Sequence, residues 1–561
     1  MRRGLVPIVL SSVFLAGSVW AADSGIRLNS LGFLPQLPKK ATILAPCSDF
    51  AVKNVATGET IFTGKAGGPV HQDDVSQDAW VADFSSVTAG GRFCLDVPGV
   101  GRSPEFEIGD AVYDFPFRTA MRAFYLWRCG AAVRGEHDGQ VYSHAACHLE
   151  DGWQDYIGIE NARRDGVGGW HDAGDYGKYV VNAGITVGCL FFAWDHFQDR
   201  LKDVSLGLPD TAPGLPDFLQ ELKWETDWLL KMPYPDGSGK VSHKLTRVRF
   251  SGFIMPETDS EKRFFTDWST AATADFVAMM AMAARYFKPY DATYAQRCLD
   301  AAQRSHDLLR NTPEKRFEQG EFRTGDYQTG DSDDRLWAAA EMWETTGNPD
   351  CLKDFESLAV IPPRTFGRRP GSAPLGKIDE DWDWGNVRNL GMFTYALSKR
   401  QGRDPNLVEQ VRRDTLAVAD SLVAKARQDI YGRPLAGRYY WGCNGTVARQ
   451  ALNLQVAHRL SPNPEYVGAA LDAVAHLLGR NYYNRSYVTG LGRQPPMRPH
   501  DRRCGADGID APWPGYVIGG GQSATGWHDD QEDYRTNEIA INWQAGLVYA
   551  LAGFTSGRTP Q

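Results

Sequence analysis

Short runs in which apolar and polar residues alternate fill the first part of the chain. The runs ATILAP, FAVKNVATGETIFTGKA, WVADFSS and GGRFCLDVPGVGRSPEFEIG lie between glycines, from about residue 26 to residue 108. An alternation with a period of two predicts strands with one buried face, and several short strands at this spacing predict a sandwich of two sheets. We therefore predict an immunoglobulin-like β-sandwich over residues 23–109.

Helical periodicity replaces this pattern after Gly109. In YDFPFRTAMRAFYLWRCGAAV the apolar residues recur at intervals of three and four, as on one face of an α-helix. Similar segments follow, often separated by long glycine- or proline-rich loops, at 178–197, 215–232, 270–287, 293–309, 333–345, 349–355, 387–398, 406–424, 446–460, 465–478 and 537–552. About twelve helices suit a mainly α domain, an (α/α)6 barrel of six helical hairpins over residues 110–561, although a helical solenoid fits almost as well.

The N-terminus, MRRGLVPIVLSSVFLAGSVWAADSG, has the layout of a secretory signal peptide. Arg2 and Arg3 give a charged start, residues 5–19 are apolar, and Val19-Trp20-Ala21 forms the cleavage site. The apolar run is too short to span a bilayer by preference, so we predict a signal peptide over residues 1–22, with an uncleaved anchor as the alternative. No other stretch looks apolar enough to cross a membrane, and the mature protein is expected to be periplasmic or secreted.

Composition and charge narrow the classes of partner. The 561-residue chain carries a net charge of −9 and no long basic run, so nucleic acid is not an expected partner, because phosphate binding needs clustered Lys and Arg. The 17 Trp suit either stacking on sugar rings or a large core. Nine cysteines in a chain of this length do not suggest a disulfide scaffold, and their odd number leaves at least one unpaired or assigned to another role.

Two segments carry carboxylates in positions that suggest chemistry. GVGGWHDAGDYGKYV places Asp172 and Asp175 three residues apart in a glycine-rich turn, and DDQEDYRTNEIAINWQAG places Glu538 at the predicted start of the last helix. Surface turns and helix starts are the ordinary settings for such residues. Hydrolysis of a glycosidic bond, however, needs a base on one face of the sugar and an acid on the other, and distant segments that fold together can provide this pair.

Three motifs, in the same order, resemble those of glycoside hydrolase family 9, the inverting cellulase family. GGWHDAGDYGKYV looks like its catalytic-aspartate motif, YVTGLGRQPPMRPHDRR like its His-x-Arg motif, and DYRTNEIAINWQAG like its catalytic-glutamate motif. STAATADFVAMMAMAARYF and PDFLQELKWETDWLLKM also resemble family helices, and the strand-rich N-terminus resembles the immunoglobulin-like module of one branch. The likeness covers nearly the whole mature chain.

This resemblance implies a role for each motif residue. Asp175 would be the general base, Asp172 would help it to hold the attacking water, and Glu538 would be the general acid. The carboxyl groups of base and acid would lie about 6.5–9.5 Å apart, so that a water fits between base and sugar. His500 and Arg502 would hydrogen-bond the sugar next to the cleaved bond, or else form a salt bridge in a surface loop.

The sequence departs from the family pattern at three places. Gln494 stands where the family prefers Asn, Lys or Arg, and Asp501 replaces a common His between the two sugar-binding residues. The segment INWQAG lacks the usual Tyr-Asn-Ala after the glutamate. None of these changes removes a catalytic group, so we expect their effect to be on substrate preference.

Four residues form a candidate zinc site. Cys129, Cys147, His148 and His171 are a Cys2His2 set of the kind that binds zinc tetrahedrally. Their spacing alone is not diagnostic, and a Cys129–Cys147 disulfide is the alternative. Some family members with the immunoglobulin-like module carry zinc at matching positions. The resemblance therefore implies a structural zinc that pins the loop next to Asp172.

A second metal site is implied by TGDSDDRLW, which resembles a family calcium loop. Asp333 and Asp334 would supply carboxylate ligands, Thr329 and Gly330 backbone oxygens, and Asp383 could complete the site. Calcium favours such oxygen ligands. The family more often has Ser for Thr329 and Glu for Asp334, and acids before a helix can simply be caps.

These observations support four hypotheses. The leading one is an endo-acting β-1,4-glucanase that hydrolyses β-1,4-glucan chains as a monomer, and the closest rival is an exo-acting member that removes glucose, cellobiose or glucosamine from chain ends. Family exo-glucosaminidases alter the aspartate motif, whereas HDAGDYGKY has the cellulase form. A non-catalytic sugar-binding protein is disfavoured because all three candidate catalytic carboxylates are present. A zinc hydrolase needs an open coordination position, which a closed Cys2His2 set does not offer.

Overall fold

The computed structural model describes residues 25–360 and 377–557. The predicted signal peptide, residues 1–22, lies outside the described residues. The first nine strands are β1 Ile26–Arg27, β2 Lys40–Ile43, β3 Asp49–Asn54, β4 Thr60–Lys65, β5 Gly67–Gln72, β6 Gln77–Asp83, β7 Gly91–Val97, β8 Gly101–Arg102 and β9 Phe106–Ile108. They form two antiparallel sheets, in the orders β1-β2-β6-β5 and β4-β3-β7-β8, with β9 paired to β7.

The space between these two sheets is filled by apolar side chains. Phe33 packs edge-on against Phe84 and Phe106, with ring centroids 5.1 and 5.2 Å apart. Val52 and Leu95, which are cross-strand partners on β3 and β7, are fully buried beside them. The alternating pattern therefore buries one face of each sheet, and the predicted β-sandwich is confirmed.

The helices begin directly after this sandwich. They are α1 Asp114–Leu126, α2 Val180–Leu201, α3 Asp217–Leu229, α4 Thr270–Phe287, α5 Ala292–Arg310, α6 Ser332–Thr346, α7 Pro349–Ala359, α8 Arg388–Leu397, α9 Pro405–Gln428, α10 Cys443–Leu460, α11 Pro464–Leu477, α12 Tyr534–Asn537 and α13 Ile541–Ala552. Each of the twelve predicted helical segments overlaps one of these helices. The additional helix is α12, which has only four residues.

Six of the helices form a closed inner ring. Helices α2, α4, α6, α8, α10 and α13 pack in that order, and α13 returns to pack against α2. Helices α1, α3, α5, α7, α9 and α11 pack outside this ring against their inner neighbours. The inner helices are buried almost all round, whereas an outer helix such as α9 buries one stripe of side chains. The predicted (α/α)6 barrel is confirmed, and because the ring closes, the solenoid alternative is wrong.

Small residues let inner helices approach closely. A Cβ on Gly391 of α8 would lie 2.6 Å from the Leu336 side chain and 2.9 Å from the Trp337 Cα on α6. At such distances any larger residue would push the two helices apart.

Helix α2 corrects one sequence-based expectation. Val180–Leu201 is long and apolar enough to cross a membrane by length and composition, whereas no stretch after the signal peptide was expected to be. Of its most apolar window, 94% is buried inside the protein. The apolarity of α2 therefore reflects its position in the inner ring, where all of its faces meet other helices.

The sandwich is attached to the barrel by polar and apolar contacts. Lys40 on β2 pairs with Asp472 on α11 at 3.1 Å, and the buried Arg480 donates to the Thr42 hydroxyl at 3.0 Å. Ala79 on β6 packs in a separate apolar cluster with Ile430 and Tyr431 of the barrel. The two parts therefore share a buried contact.

Five short strands within the barrel domain had no clear sequence signal. β10 Val133–His137 and β11 Gln140–His144 form a hairpin, and β12 Lys178–Tyr179, β13 Lys244–Thr246 and β14 Phe264–Phe265 form a three-stranded antiparallel sheet. The second sheet follows the HDAGD segment directly. It therefore ties that loop to two distant segments of the chain.

Candidate active site

The loop that carries Asp172 and Asp175 is fixed by close backbone contacts. The Asp172 N–H donates to the Gly177 carbonyl at 3.0 Å, and the Asp172 carbonyl accepts from the Ile541 N–H at 2.9 Å. A Cβ on Gly174 would lie 2.1 Å from the carbonyl oxygen of His500, so this position needs glycine. The glycines of the motif therefore allow the loop to pack tightly against the segments that carry His500 and the last helix.

The two aspartates have different surroundings. Asp172 is 1% exposed, and its two carboxyl oxygens accept from the Asn182 amide at 2.7 Å and from the Tyr327 hydroxyl at 2.6 Å. Asp175 accepts at one oxygen from the Gly177 N–H at 2.9 Å and from the Tyr179 hydroxyl at 3.0 Å. Burial, followed by the negative charge of Asp175, raises the pKa of Asp172 to about 8. The protonated form of Asp172 is therefore favoured beside Asp175.

Glu538 lies in a distant segment of the chain that packs against the aspartate loop. Contrary to the sequence-based expectation, it does not open the last helix, because its backbone is extended and α13 begins at Ile541. Residue 538 forms a parallel bridge with His500, and its carbonyl accepts from the Gly519 N–H at 2.8 Å. A further bridge, between Ala173 and Ala540, joins the aspartate loop to this segment.

The electrostatic surroundings of Glu538 favour its protonated form. Burial, followed by the negative charges of Asp175 and Asp172, raises the pKa of Glu538 well above its ordinary value. Arg502 and a hydrogen bond from Trp441 act in the opposite direction but do not cancel the rise. Glu538 is therefore suited to donate a proton.

These three carboxyl groups line one cavity of about 410 Å³. Its wall also contains the aromatic side chains of Tyr179, Phe250, Tyr327, Trp382, Trp384, Trp441 and Trp543. Trp441 is 45% exposed and Phe250 is 46% exposed, so both present ring surface to solvent at this site. A cavity with flat aromatic faces and converging polar groups is suited to bind a small molecule or part of a polymer.

His500 and Arg502 lie beside the aspartate loop rather than among the side chains that line the cavity. The His500 ring bonds to the Gln531 carbonyl at 2.6 Å. The Arg502 guanidinium donates to the carbonyls of Gly174 at 2.8 Å and Ser251 at 3.0 Å. In this structure the Arg502 side chain supports the aspartate loop, whereas the His500 ring bonds to the segment around Gln531. The contact of either side chain with a sugar stays a prediction.

The four candidate zinc ligands are gathered in one buried cluster. Their ligand atoms all lie within 4.8 Å of one another: Cys129, Cys147, His148 and His171. Cys129 Sγ is 3.7 Å from His148 Nδ1, Cys147 Sγ is 3.9 Å from His171 Nε2, and the two ring nitrogens are 3.3 Å apart. The corresponding edges of a tetrahedral zinc site with ordinary Zn–S and Zn–N bonds are about 3.3–3.8 Å. The donor set therefore fits zinc.

Neighbouring residues orient this cluster. His148 Nε2 lies 3.4 Å from an Asp259 carboxyl oxygen, which turns Nδ1 of the same ring toward the other ligands. The structure keeps both Cys129 and Cys147 as free thiols, so it gives no support to the disulfide alternative. The ring of Tyr176, next to Asp175, packs 4.8 Å from the His171 ring. The cluster and the aspartate loop are therefore in contact.

The candidate calcium ligands are less closely gathered. Thr329, Gly330, Asp333 and Asp383 line the cavity, whereas Asp334 is fully buried. Asp333 accepts from the Val387 N–H at 2.8 Å. Among the described residues, the Cys2His2 cluster is the one group of at least three His, Cys, Asp or Glu side chains whose ligand atoms all lie within 4.8 Å of one another. The side chains of the candidate calcium ligands do not form such a group.

Asp275 is a buried neighbour of this calcium loop that the sequence reasoning did not select. Its carboxyl group approaches that of Asp334, and apart from this mutual contact neither group has a hydrogen-bond partner among the described residues. Two adjacent buried carboxyl groups need a proton or a cation. The oxygen-only donor set is compatible with calcium.

Other residues of the site were also missed. Tyr327, Asn182, Tyr179 and Trp441 contact the three candidate catalytic carboxyl groups. Tyr179 ends the HDAGDYGKY motif and had a local signal. Tyr327 and Trp441 lie in distant loops that only the fold brings to the aspartates.

Comparison with known proteins agrees with the fold and the site. The family model "Glycosyl hydrolase family 9" matches residues 113–551, and "Cellulase N-terminal ig-like domain" matches residues 21–102. Endoglucanase D of Acetivibrio thermocellus is 54% identical over 546 residues, which cover 96% of this chain and 84% of the relative.

Two solved structures are similar over almost the whole chain. A metagenome-derived glycoside hydrolase family 9 endoglucanase has a TM-score of 0.85 at 33% identity, over 95% of this chain and 99% of that one. A Zn-binding triple mutant of the family 9 endoglucanase J30 has a TM-score of 0.85 at 31% identity, over 94% of this chain and 100% of that one. With its N-terminal immunoglobulin-like module and its helical barrel, the chain belongs to glycosyl hydrolase family 9.

Proposed function

We propose that this chain is an endo-acting β-1,4-glucanase that hydrolyses its substrate with inversion at the anomeric carbon. The observation that carries the proposal is the meeting of Asp172, Asp175 and Glu538 in one aromatic-lined cavity. The similarity to Endoglucanase D over 96% of the chain supports endo-acting over exo-acting hydrolysis.

The surroundings of the carboxyl groups suggest how each one acts. Asp175 takes the proton of a water that attacks the anomeric carbon, while Asp172, whose raised pKa favours its protonated form, lies beside it and helps to hold that water. Glu538, protonated in its half-buried position, donates to the leaving oxygen. Because base and acid act from opposite sides of the sugar in a single displacement, the configuration inverts.

Activity assays test this function. We expect wild-type protein to lower the viscosity of carboxymethylcellulose quickly, to release new reducing ends from it and from lichenan, and to leave chitosan intact. Proton NMR of a β-linked oligosaccharide digest should show the α-anomer as the first product. Release of glucosamine from chitosan alone, or a β-anomer as the first product, would contradict the proposal.

We also propose that the Cys2His2 cluster holds one structural zinc. All four positions of a tetrahedral site would be filled by protein, from Cys129, Cys147, His148 and His171, so the metal would fix the aspartate loop without binding substrate.

Calcium is proposed at Thr329, Gly330, Asp333, Asp334 and Asp383, where it would hold the start of α6 against the loop that carries Asp383.

The remaining proposals concern location and organisation. Residues 1–22 are proposed to be a signal peptide that directs the chain to the periplasm or the exterior. The proposed domain limits are 23–109 for the immunoglobulin-like module and 110–561 for the barrel. The proposed partner is a β-1,4-glucan chain bound by a monomeric enzyme, with no membrane attachment after signal cleavage.

A further inference from the structure

A buried lysine lies behind the two aspartates of the active site. Lys244 on β13 is fully buried, and its backbone is the cross-strand partner of Tyr179 on β12. Its ammonium group lies 5.8, 5.0 and 5.2 Å from the ring centroids of Tyr179, Phe317 and Phe322. A buried ammonium group is costly unless it is hydrogen-bonded, so its position demands specific partners.

All the hydrogen bonds of this ammonium group go to one loop. Lys244 Nζ donates to the Gln319 side chain at 2.7 Å, to the Thr324 hydroxyl at 3.4 Å and to the Gly325 carbonyl at 2.7 Å. Gln319 in turn donates to the Thr324 carbonyl at 2.5 Å. We name residues 319–327 the support loop. Lys244 therefore attaches the support loop to the sheet behind the active site.

The support loop contacts both aspartates. The Gly325 N–H donates to the Tyr179 hydroxyl at 3.2 Å, and that hydroxyl donates to Asp175 at 3.0 Å. Tyr327, two residues further along, donates to Asp172 at 2.6 Å. Gly325 makes the first of these contacts and Tyr327 makes the second, so both lie close to the Gly325 carbonyl that accepts a hydrogen bond from Lys244.

The support loop is also strained where it meets Asp172. Tyr327 has φ of +43°, a left-handed conformation that a bulky side chain rarely adopts. Such a conformation persists only when the surrounding contacts hold it in place. Two hydrogen bonds hold the residues just before Tyr327. Lys244 donates to the Gly325 carbonyl, and the His243 ring bonds to the Asp326 carbonyl at 2.8 Å.

We propose that Lys244 is a positioning residue for hydrolysis, which holds the support loop so that Tyr179 and Tyr327 aim Asp175 and Asp172 at the attacking water. This inference rests on the proposed roles of the two aspartates. Burial lowers the pKa of Lys244 to about 7, while Asp326 and Asp175 act in the opposite direction. The ammonium charge is therefore close enough to the base to interact with it.

The chain provides a matched control at Lys39. This lysine is also fully buried, and its ammonium group donates to three carbonyls, at 3.2, 2.7 and 2.8 Å, but it lies in the N-terminal module. Lys39→Met removes the same kind of buried charge far from the cavity. It should lower the melting temperature and leave kcat unchanged.

The test compares Lys244→Met, Lys39→Met, Tyr179→Phe and the double variant of Lys244 and Tyr179 on soluble cello-oligosaccharides. Lys244→Met should lower kcat by about 10- to 100-fold with little change in KM, as expected when a catalytic group is displaced slightly. The double variant should lose less than the product of the two single losses, because part of the effect of Lys244 passes through Tyr179 and the remainder through Tyr327. A wild-type kcat for Lys244→Met, or multiplying effects in the double variant, would overturn the inference.

Hydrogen exchange separates this inference from the proposed function. In Lys244→Met, but not in Lys39→Met, amides of residues 319–327 and 172–177 should exchange faster, whatever reaction the protein catalyses. If wild-type protein does not cleave β-1,4-glucan, the proposed function fails, whereas unchanged exchange at the support loop refutes the role of Lys244. If Lys244→Met does not fold, Lys244→Gln is measured in the same way, with the same expected losses.

Discussion

The surroundings of Asp172 and Asp175 give these two neighbouring carboxyl groups different properties. Asp172 receives hydrogen bonds at both oxygens and lies deeper than Asp175, whose bonds from Gly177 and Tyr179 converge on one oxygen. Asp172 is thereby held in place at both oxygens, while Asp175 keeps one oxygen to take the proton of a water that lies beside both groups. Neighbours, rather than residue type, distinguish the two aspartates.

Removal of the acid or of the base should have different signatures. Glu538→Gln should lower kcat on cellulose by about 10²- to 10⁴-fold, because amide nitrogen cannot supply the proton. It should spare aryl cellobiosides whose leaving group needs no proton. Asp175→Asn should lose activity on both substrates, as steady-state kinetics with the two substrate types will show. Equal losses on both substrates for Glu538→Gln would contradict its role as acid.

The raised pKa of Glu538 predicts two pH effects. Activity needs its proton and should fall on the alkaline side, as pH rises through the folded-state pKa. Stability should also fall with rising pH between the ordinary value of 4.5 and that pKa, because the folded state keeps a proton that the unfolded state has released. In Glu538→Gln the fall of stability with pH should be less steep, by up to about 1.4 kcal/mol per pH unit over this range, because one proton-binding difference is removed. Denaturant titrations at several pH values measure this, and an unchanged slope would refute the raised pKa.

The sequence predicted the residues of this site that lie in short motifs. Asp172, Asp175, His171 and Glu538 stand in segments whose residues carry their own signal. Tyr327 and Lys244 could not be found in the same way, because each acts through contacts to a segment far away in the sequence. A tyrosine or a lysine without a local pattern does not reveal its partner.

At the scale of elements, the segment around Glu538 shows why boundaries were harder to predict. The run of acids before it is typical of a helix start, but the structure ends α12 at Asn537 and begins α13 at Ile541. Between them the backbone pairs with His500, Ala173 and Ile518 in bridges. These tertiary hydrogen bonds outweigh the local helical preference and leave Glu538 extended.

The Cys2His2 cluster joins three segments of the chain, so loss of the proposed zinc should destabilise more than the ligands themselves. Cys147→Ser should remove the zinc, about one per chain in wild type, and lower the free energy of unfolding by about 3 kcal/mol or more. Native mass spectrometry and denaturant unfolding measure these effects. Cys351→Ser, a buried thiol outside the cluster, is the control and should keep its zinc. A Cys129–Cys147 disulfide without zinc would contradict the assignment.

At the scale of the whole molecule, the sandwich covers an apolar patch of the barrel. Deletion of residues 24–109 would expose Ile430 and Tyr431 and leave Asp472 without Lys40. We expect the truncated barrel to melt at a lower temperature, with kcat per folded molecule little changed, as calorimetry and kinetics would show. A fully stable barrel, together with tight cellulose binding by the isolated module, would instead indicate a targeting role.

The closed ring also has a consequence for the newly made chain. Asp175, the proposed base, precedes the first inner helix, whereas Glu538, the proposed acid, precedes the last one, and α13 completes the ring by packing against α2. A ribosome therefore produces nearly the entire barrel before the proton donor exists. Any chain that ends before residue 538, through interrupted synthesis or proteolysis, would have the proposed base but not the proposed acid, and its ring would be open. We therefore expect hydrolytic activity only from chains that extend through α13.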